Sequence, residues 1–137
     1  MGKEHITMIG AGLAGPVMAS YLAELGYSVE IHEKRHDMRL VEQSAGRSIN
    51  LALSKRGINA LKDIGAFEKI KPMMMPMVGR MIDESDGSIH LQKYGQKSSE
   101  VIYSISRAFL NKTLMDHAET KGTVSYTHLT LPTNREV

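Results

Sequence analysis

The run Ile6-Thr7-Met8-Ile9-Gly10-Ala11-Gly12-Leu13-Ala14-Gly15 decides the fold. Ile6 to Ile9 is a short apolar, partly β-branched stretch that a glycine cluster ends abruptly, which reads as a buried strand entering a tight turn. Beyond it Leu13, Val17, Tyr21, Leu22 and Leu25 recur at helical spacing, and Gly26 stands where a C-terminal cap is expected. Leu13 to Leu25 is therefore predicted to be a helix. Ser28 to His32 alternates as a second strand does and ends at Glu33. The β-α-β unit closes within about 30 residues, the size expected of one.

Gly10, Gly12 and Gly15 each have a mechanical task in such a unit. The first permits the tight turn, the second lets the backbone approach a pyrophosphate, and the third allows close packing of helix on strand. The helix N-terminus then faces the phosphates with its free N–H groups. Glu33, about 20 residues downstream at the end of the second strand, is placed to accept hydrogen bonds from a ribose hydroxyl. An adenosine dinucleotide without a 2′-phosphate is implied. FAD and NAD both satisfy this pattern, and NADP fits it less well. The plainer reading is three glycines in a tight turn and a solvated acid at a strand end; the order strand, glycines, helix, strand, acid weighs against it.

Downstream, Lys34 to Arg47 reads as a charged loop, followed by Ser48 to Leu53. A helix is predicted over Ser54 to Ile64, with Ser54 as N-cap, Gly65 as stop and Ile58, Leu61 and Ile64 as its apolar stripe. A short helix, Ala66 to Ile70, stops before Pro72, and Met73 to Met77 reads as a connection whose methionines serve adaptable packing. Val78 to Asp83 and Ser88 to Tyr94 flank Glu84 to Gly87 as the arms of a β-hairpin. Val101 to Ile105 reads as a strand and Arg107 to Lys121 as a helix.

The chain has 137 residues, 42% of them hydrophobic, a formal net charge of +2 and no cysteine. One domain with an ordinary core is expected. The charges are intermixed, so no stripe suggests nucleic acid or a membrane surface. Disulfides, thiolate metal sites and a cysteine nucleophile are excluded, and the histidines show no ligand spacing. No stretch approaches the roughly 20 apolar residues of a membrane helix. The apolar start, Ile6 to Ala23, is broken by glycines and a proline and is not read as a secretory leader. A cytoplasmic location is expected.

The choice between FAD and NAD comes from Gly-Arg-Ser-Ile-Asn-Leu-Ala-Leu-Ser-Lys-Arg-Gly, Gly46 to Gly57. This segment resembles a signature of the FAD-dependent aromatic hydroxylases, the group of para-hydroxybenzoate hydroxylase, in the branch that acts on kynurenine. The likeness continues through the glycine turn, Ile31 to Arg35, Pro76 to Ile82, Lys93 to Gly95 and Ser104 to Lys112. It implies an α/β fold: a Rossmann-like FAD-binding β-α-β unit with the beginning of a β-rich substrate domain, in a truncated chain. It also implies 3-hydroxylation of L-kynurenine with NADPH and oxygen, the flavin supplying the oxygen chemistry.

By that resemblance Gly10, Gly12, Leu13, Gly15 and Glu33 are FAD contacts, with Lys34 and Arg35 near the adenosine end. Ala52 falls in a loop bordering the flavin, and Arg107 lies near the ribityl phosphate. Arg80 matches an arginine that pairs with the substrate carboxylate, a task suited to its planar fork, and Tyr94 matches a substrate-contacting tyrosine. Without the resemblance, Arg80 and Tyr94 read as ordinary hairpin surface residues and Arg35 as a solvated charge. Two other functions stay open: a different FAD-dependent hydroxylase or reductase, and a non-catalytic dinucleotide-binding module. An NAD-dependent dehydrogenase leaves Gly46 to Gly57 unexplained.

The last residues, Val124 to Val137, depart from that likeness. Val124 to Thr133 is what GTC TCT TAT ACA CAT CTG ACG CTG CCG ACG encodes, an in-frame translation of a transposon-type sequencing adapter. The expectation is a native segment over residues 1–123 and a foreign tail over 124–137, the alternative being a true strand from Ser125 to Leu131. Half of an FAD site is then present. Weak cofactor binding and no activity are expected from these residues alone.

Overall fold

A computed structural model describes residues 4–40, 49–122 and 124–128, Ser125 by its backbone alone. The chain forms two compact units, Met1–Arg47 with Leu110–Val137, and Ser48–Phe109.

The first unit is built on β1 (His5–Ile9), α1 (Ala14–Glu24) and β2 (Ser28–Glu33), as the apolar periodicity predicts. The unit's third strand, β8 (Val124–His128), pairs with β2, and both pairings are parallel, giving the strand order β1-β2-β8. This is the 3-2-1 arrangement of one half of a doubly wound fold. Val29 and Ile31 of the central strand are buried with Ala11, Ala19, Met115, Ala118 and Val124. β1 is not the buried strand expected from its composition: Ile9 is 75% exposed, because β1 is the edge of this sheet. β8 forms within the segment expected to be a foreign tail. Alternation suffices to make a strand whatever its origin, and residues 129–137 lie outside the described residues.

The second unit holds β3 (Asn50–Leu53), α2 (Lys55–Asp63), α3 (Phe67–Ile70), β4 (Met75–Met77), β5 (Gly79–Asp83), β6 (Ile89–Lys93), β7 (Ile102–Ser106) and the start of α4 (Arg107–Glu119). Ile58, Leu61 and Ile64 are buried as one stripe, and Gly65 ends α2 with φ +75°. Ser54 is the N-cap residue, yet its hydroxyl makes no capping bond. β5 and β6 form the predicted hairpin, with Met81 opposite Leu91.

The methionine-rich connection is in part a strand, which is a correction. Met75–Met77 pairs with β7, at the edge of the order β3-β7-β4, where Pro76 needs no partner for its missing N–H. Met73 and Met75 are largely exposed, so the packing role falls to Met74 and Met77.

Candidate functional site

Register builds the site. Ile9 lies opposite His32, so the next residue of β2, Glu33, stands level with the glycine turn. The Gly10 N–H donates to the His32 carbonyl at 2.7 Å, fastening the turn to the strand. Gly10 has φ +101°, a conformation glycine adopts without strain. A Cβ at Gly15 would overlap the Gly10 carbonyl oxygen, so this position carries the close packing of helix on turn. At Gly12 a Cβ would meet nothing within 4 Å, leaving the approach to its backbone open.

Leu13 occupies the N-cap position of α1, where Ser or Asp would normally bond the first N–H groups. An apolar residue leaves those groups without a side-chain cap, and the first turn holds no acid. A helix end in this state favours an anion. The cradle thus fits the pyrophosphate of FAD.

The Glu33 side chain is only 14% exposed and already engaged. Its Oε2 accepts the Ala11 N–H at 2.8 Å, and its two oxygens accept the Arg35 N–H, Nε and Nη2 at 2.9, 3.0 and 3.1 Å. These bonds, led by the Arg35 side chain and opposed by burial, hold the carboxyl at about 2. Glu33 is therefore ionised throughout the neutral range. Because a carboxylate offers about four acceptor positions, a ribose hydroxyl arriving here takes a place now held by Arg35. That guanidinium is 67% exposed and can yield it. Lys34 is exposed, with its carbonyl 3.1 Å from His128 Nε2.

A cavity of about 250 Å³ opens beside this carboxylate, lined by Ala11, Glu33, His36, Met38, Met115 and Tyr126 among others. It is smaller than the roughly 300 to 1,000 Å³ that encloses a drug-sized ligand, so it suits part of a dinucleotide. His36 stacks on His128 at a centroid distance of 5.1 Å. Tyr126, Thr127 and His128 belong to the segment of expected foreign origin; the glycine turn and Glu33 do not.

Two residues that the spacing of motifs missed complete this unit. Asn111 of α4, 6% exposed, donates from Nδ2 to the Ala11 carbonyl at 3.0 Å. Arg39 pairs with Asp37 at 2.6 Å and Asp116 at 3.0 Å, and also with Glu119, tying the segment after β2 to α4. A signal for Asn111 existed: it is, with His117, a polar member of a buried stripe that also holds Leu110, Leu114, Met115 and Ala118.

The second unit holds the other expected residues. Arg80 and Tyr94 fall on one face of the hairpin, since Arg80 lies opposite Gln92 and the Tyr94 N–H donates to Val78. Arg80 Nε donates to Gln92 Oε1 at 2.7 Å; among the described residues this is the side chain's one hydrogen bond, leaving both terminal nitrogens available. Ala52 is exposed on β3 opposite Ser104, and Arg107 begins α4, its N–H donating to the Ile49 carbonyl at 3.0 Å. Gly46, Arg47 and Ser48 of the signature lie outside the described residues.

Known proteins share both sequence and fold with this chain. A kynurenine 3-monooxygenase of Legionella pneumophila (strain Corby) is 48% identical over 116 residues, covering 85% of this chain and 26% of that protein. Those of Stenotrophomonas maltophilia (strain K279a) and Cytophaga hutchinsonii are 42% identical over 131 residues and 49% over 122, covering 96% and 88% of this chain and 29% and 27% of theirs. The chain thus spans about a quarter of the length of these curated relatives. Among solved structures, the tetrameric form of 2-methyl-3-hydroxypyridine-5-carboxylic acid oxygenase superposes with a TM-score of 0.74 at 20% identity, over 93% of this chain and 32% of that one. A p-nitrophenol 4-monooxygenase of Pseudomonas putida DLL-E4 gives 0.68 at 15%, over 91% and 32%. Residues 3–134 match the FAD binding domain family. The chain belongs to that family of FAD-binding domains.

Proposed function

We propose that this chain is the N-terminal, FAD-binding segment of a cytoplasmic monooxygenase that hydroxylates L-kynurenine to 3-hydroxykynurenine with NADPH and oxygen. The glycine turn, Leu13 and Glu33 hold the adenosine and pyrophosphate of the cofactor. Lys34 and Arg35 stand near its adenosine end, with Ala52 assigned to the flavin and Arg107 to the ribityl phosphate. Bound FAD supplies the oxygen chemistry. The part of these residues is to bind the cofactor and orient the substrate.

One observation carries the substrate assignment: Arg80 and Tyr94 share a hairpin face, with the terminal nitrogens of the guanidinium uncommitted among the described residues. A fork held through Nε presents its Nη pair to a carboxylate in bidentate fashion. A ring substrate without any carboxylate has no need of it, so the fork favours a carboxylate-bearing ring such as kynurenine. In the full-length protein Arg80→Met should raise the KM for kynurenine about ten- to a hundredfold, the worth of a charged hydrogen bond, with kcat little changed. An unchanged KM removes the assignment.

The foreign origin of the tail is a separate proposal, resting on the residue-by-residue identity of Val124 to Thr133 with the translated adapter. Resequencing the source locus should show an open frame continuing past Gly122 with different residues. The same tail and stop codon in clean genomic DNA overturns it.

A further inference from the structure

The peptide groups on both sides of Ala11 are held by side chains. Its N–H donates to Glu33 Oε2 at 2.8 Å, and its carbonyl accepts from Asn111 Nδ2 at 3.0 Å, across 100 residues of sequence. Ala11 is 2% exposed, so neither group has water as a substitute. Asn111 also lies in a mostly apolar buried stripe, beside Leu110, Leu114, Met115 and Ala118, where leucine would bury without any polar requirement. A buried carboxamide there needs partners, and its Nδ2 donates both to the turn and to the Met38 sulfur at 3.2 Å, the carbonyl being the stronger acceptor.

The consequence follows from the planarity of the trans peptide. In one peptide unit the carbonyl of Ala11 and the N–H of Gly12 point in opposite directions. With the carbonyl drawn toward Asn111, the Gly12 N–H is aimed the other way. In the neighbouring unit, Glu33 draws the Ala11 N–H and so directs the Gly10 carbonyl away from itself. That oxygen lies where a Cβ of Gly15 would be, so the turn is braced from three sides.

We propose that Asn111 is a positioning residue for the phosphate-binding turn: by holding the Ala11 carbonyl, it orients the Gly12 N–H toward an incoming pyrophosphate. The role rests on the flavin reading above. It makes no contact with the ligand itself, and it uses none of the residues from Val124 onward.

The test uses the full-length protein depleted of flavin, titrated calorimetrically with FAD, with ADP and with adenosine, which lacks phosphate. Asn111→Leu removes the donor, and Asn111→Asp keeps the side-chain shape while replacing the donor by an acceptor. Both should weaken ADP about tenfold, as expected for one misdirected bond to a charged group, while adenosine changes less than about twofold. With selective ¹⁵N-glycine labelling, the downfield shift of the Gly12 amide on ADP binding should appear in the wild type and vanish in the variants. If the leucine variant does not fold, the aspartate variant decides. Equal losses for adenosine and ADP, or no loss for either, overturn the positioning role alone. Wild-type protein that binds neither FAD nor ADP overturns the flavin reading and this role together.

Discussion

Gly12→Ala is expected to leave the unliganded fold as stable as the wild type and to weaken FAD about a hundredfold or more, whereas Gly15→Ala is expected to destabilise the fold itself. The two glycines differ in what surrounds them. Open space lies around the Cβ position of Gly12, so a methyl group there meets no protein atom and stands instead where the pyrophosphate approaches. Losing one or two charged hydrogen bonds at about 1.5 to 3 kcal/mol each accounts for the drop in affinity. At Gly15 the methyl group meets the Gly10 carbonyl, which is backbone. Moving it strains the bond from Gly10 to His32 and the bond from Ala11 to Glu33. Overpacking of this kind costs about 1 to 3 kcal/mol. Thermal unfolding without flavin, paired with FAD titration, separates the cases. A Gly12 variant that binds normally would show that the turn is purely structural.

Glu33→Ala should have the second largest effect, on both affinity and acid stability. It removes the acceptor for a ribose hydroxyl and leaves the buried Ala11 N–H without its partner, which together predict about a hundredfold loss of FAD affinity. Glu33→Gln retains an uncharged acceptor and should lose about tenfold. The stability effect has a defined pH window. The folded carboxyl sits at about 2, below its ordinary 4.5, so its contribution is complete above that ordinary value and disappears as pH falls through about 2. Discounted for the exposure of Arg35, the contribution is about 1 to 2 kcal/mol at neutral pH. Unfolding curves of wild type and Glu33→Gln without flavin should therefore lie apart at pH 7 and converge on acidification. A constant separation down to pH 2 would contradict the assignment.

Local chemistry made part of this legible in the sequence. β1, α1 and β2 follow from apolar spacing and glycine within one short stretch, and the three glycines have distinct surroundings. The β5–β6 hairpin and the α2 stripe were legible for the same reason. What escaped was non-local. Asn111 reaches Ala11 across 100 residues, and Arg39 meets Glu119 across 80; no periodicity encodes such a pairing. β4 was hidden by Pro76 among methionines, since its strand character depends on an edge position beside β7 that composition does not reveal. The exposure of Ile9 follows likewise from the place of β1 in the sheet. Arg35 read in the sequence as a solvated charge or, by resemblance, a neighbour of the adenosine, and neither reading anticipated that it fills the Glu33 carboxylate.

The central claim is that the glycine turn and Glu33 form an FAD site. Equilibrium titration of the flavin-depleted full-length protein with FAD, followed by flavin fluorescence and repeated with ADP and with NAD as competitors, tests it most directly. The account predicts one FAD per chain, competitive displacement by ADP through the shared adenosine and pyrophosphate, and much weaker displacement by NAD. Absence of FAD binding, or NAD bound more tightly than FAD, would contradict it.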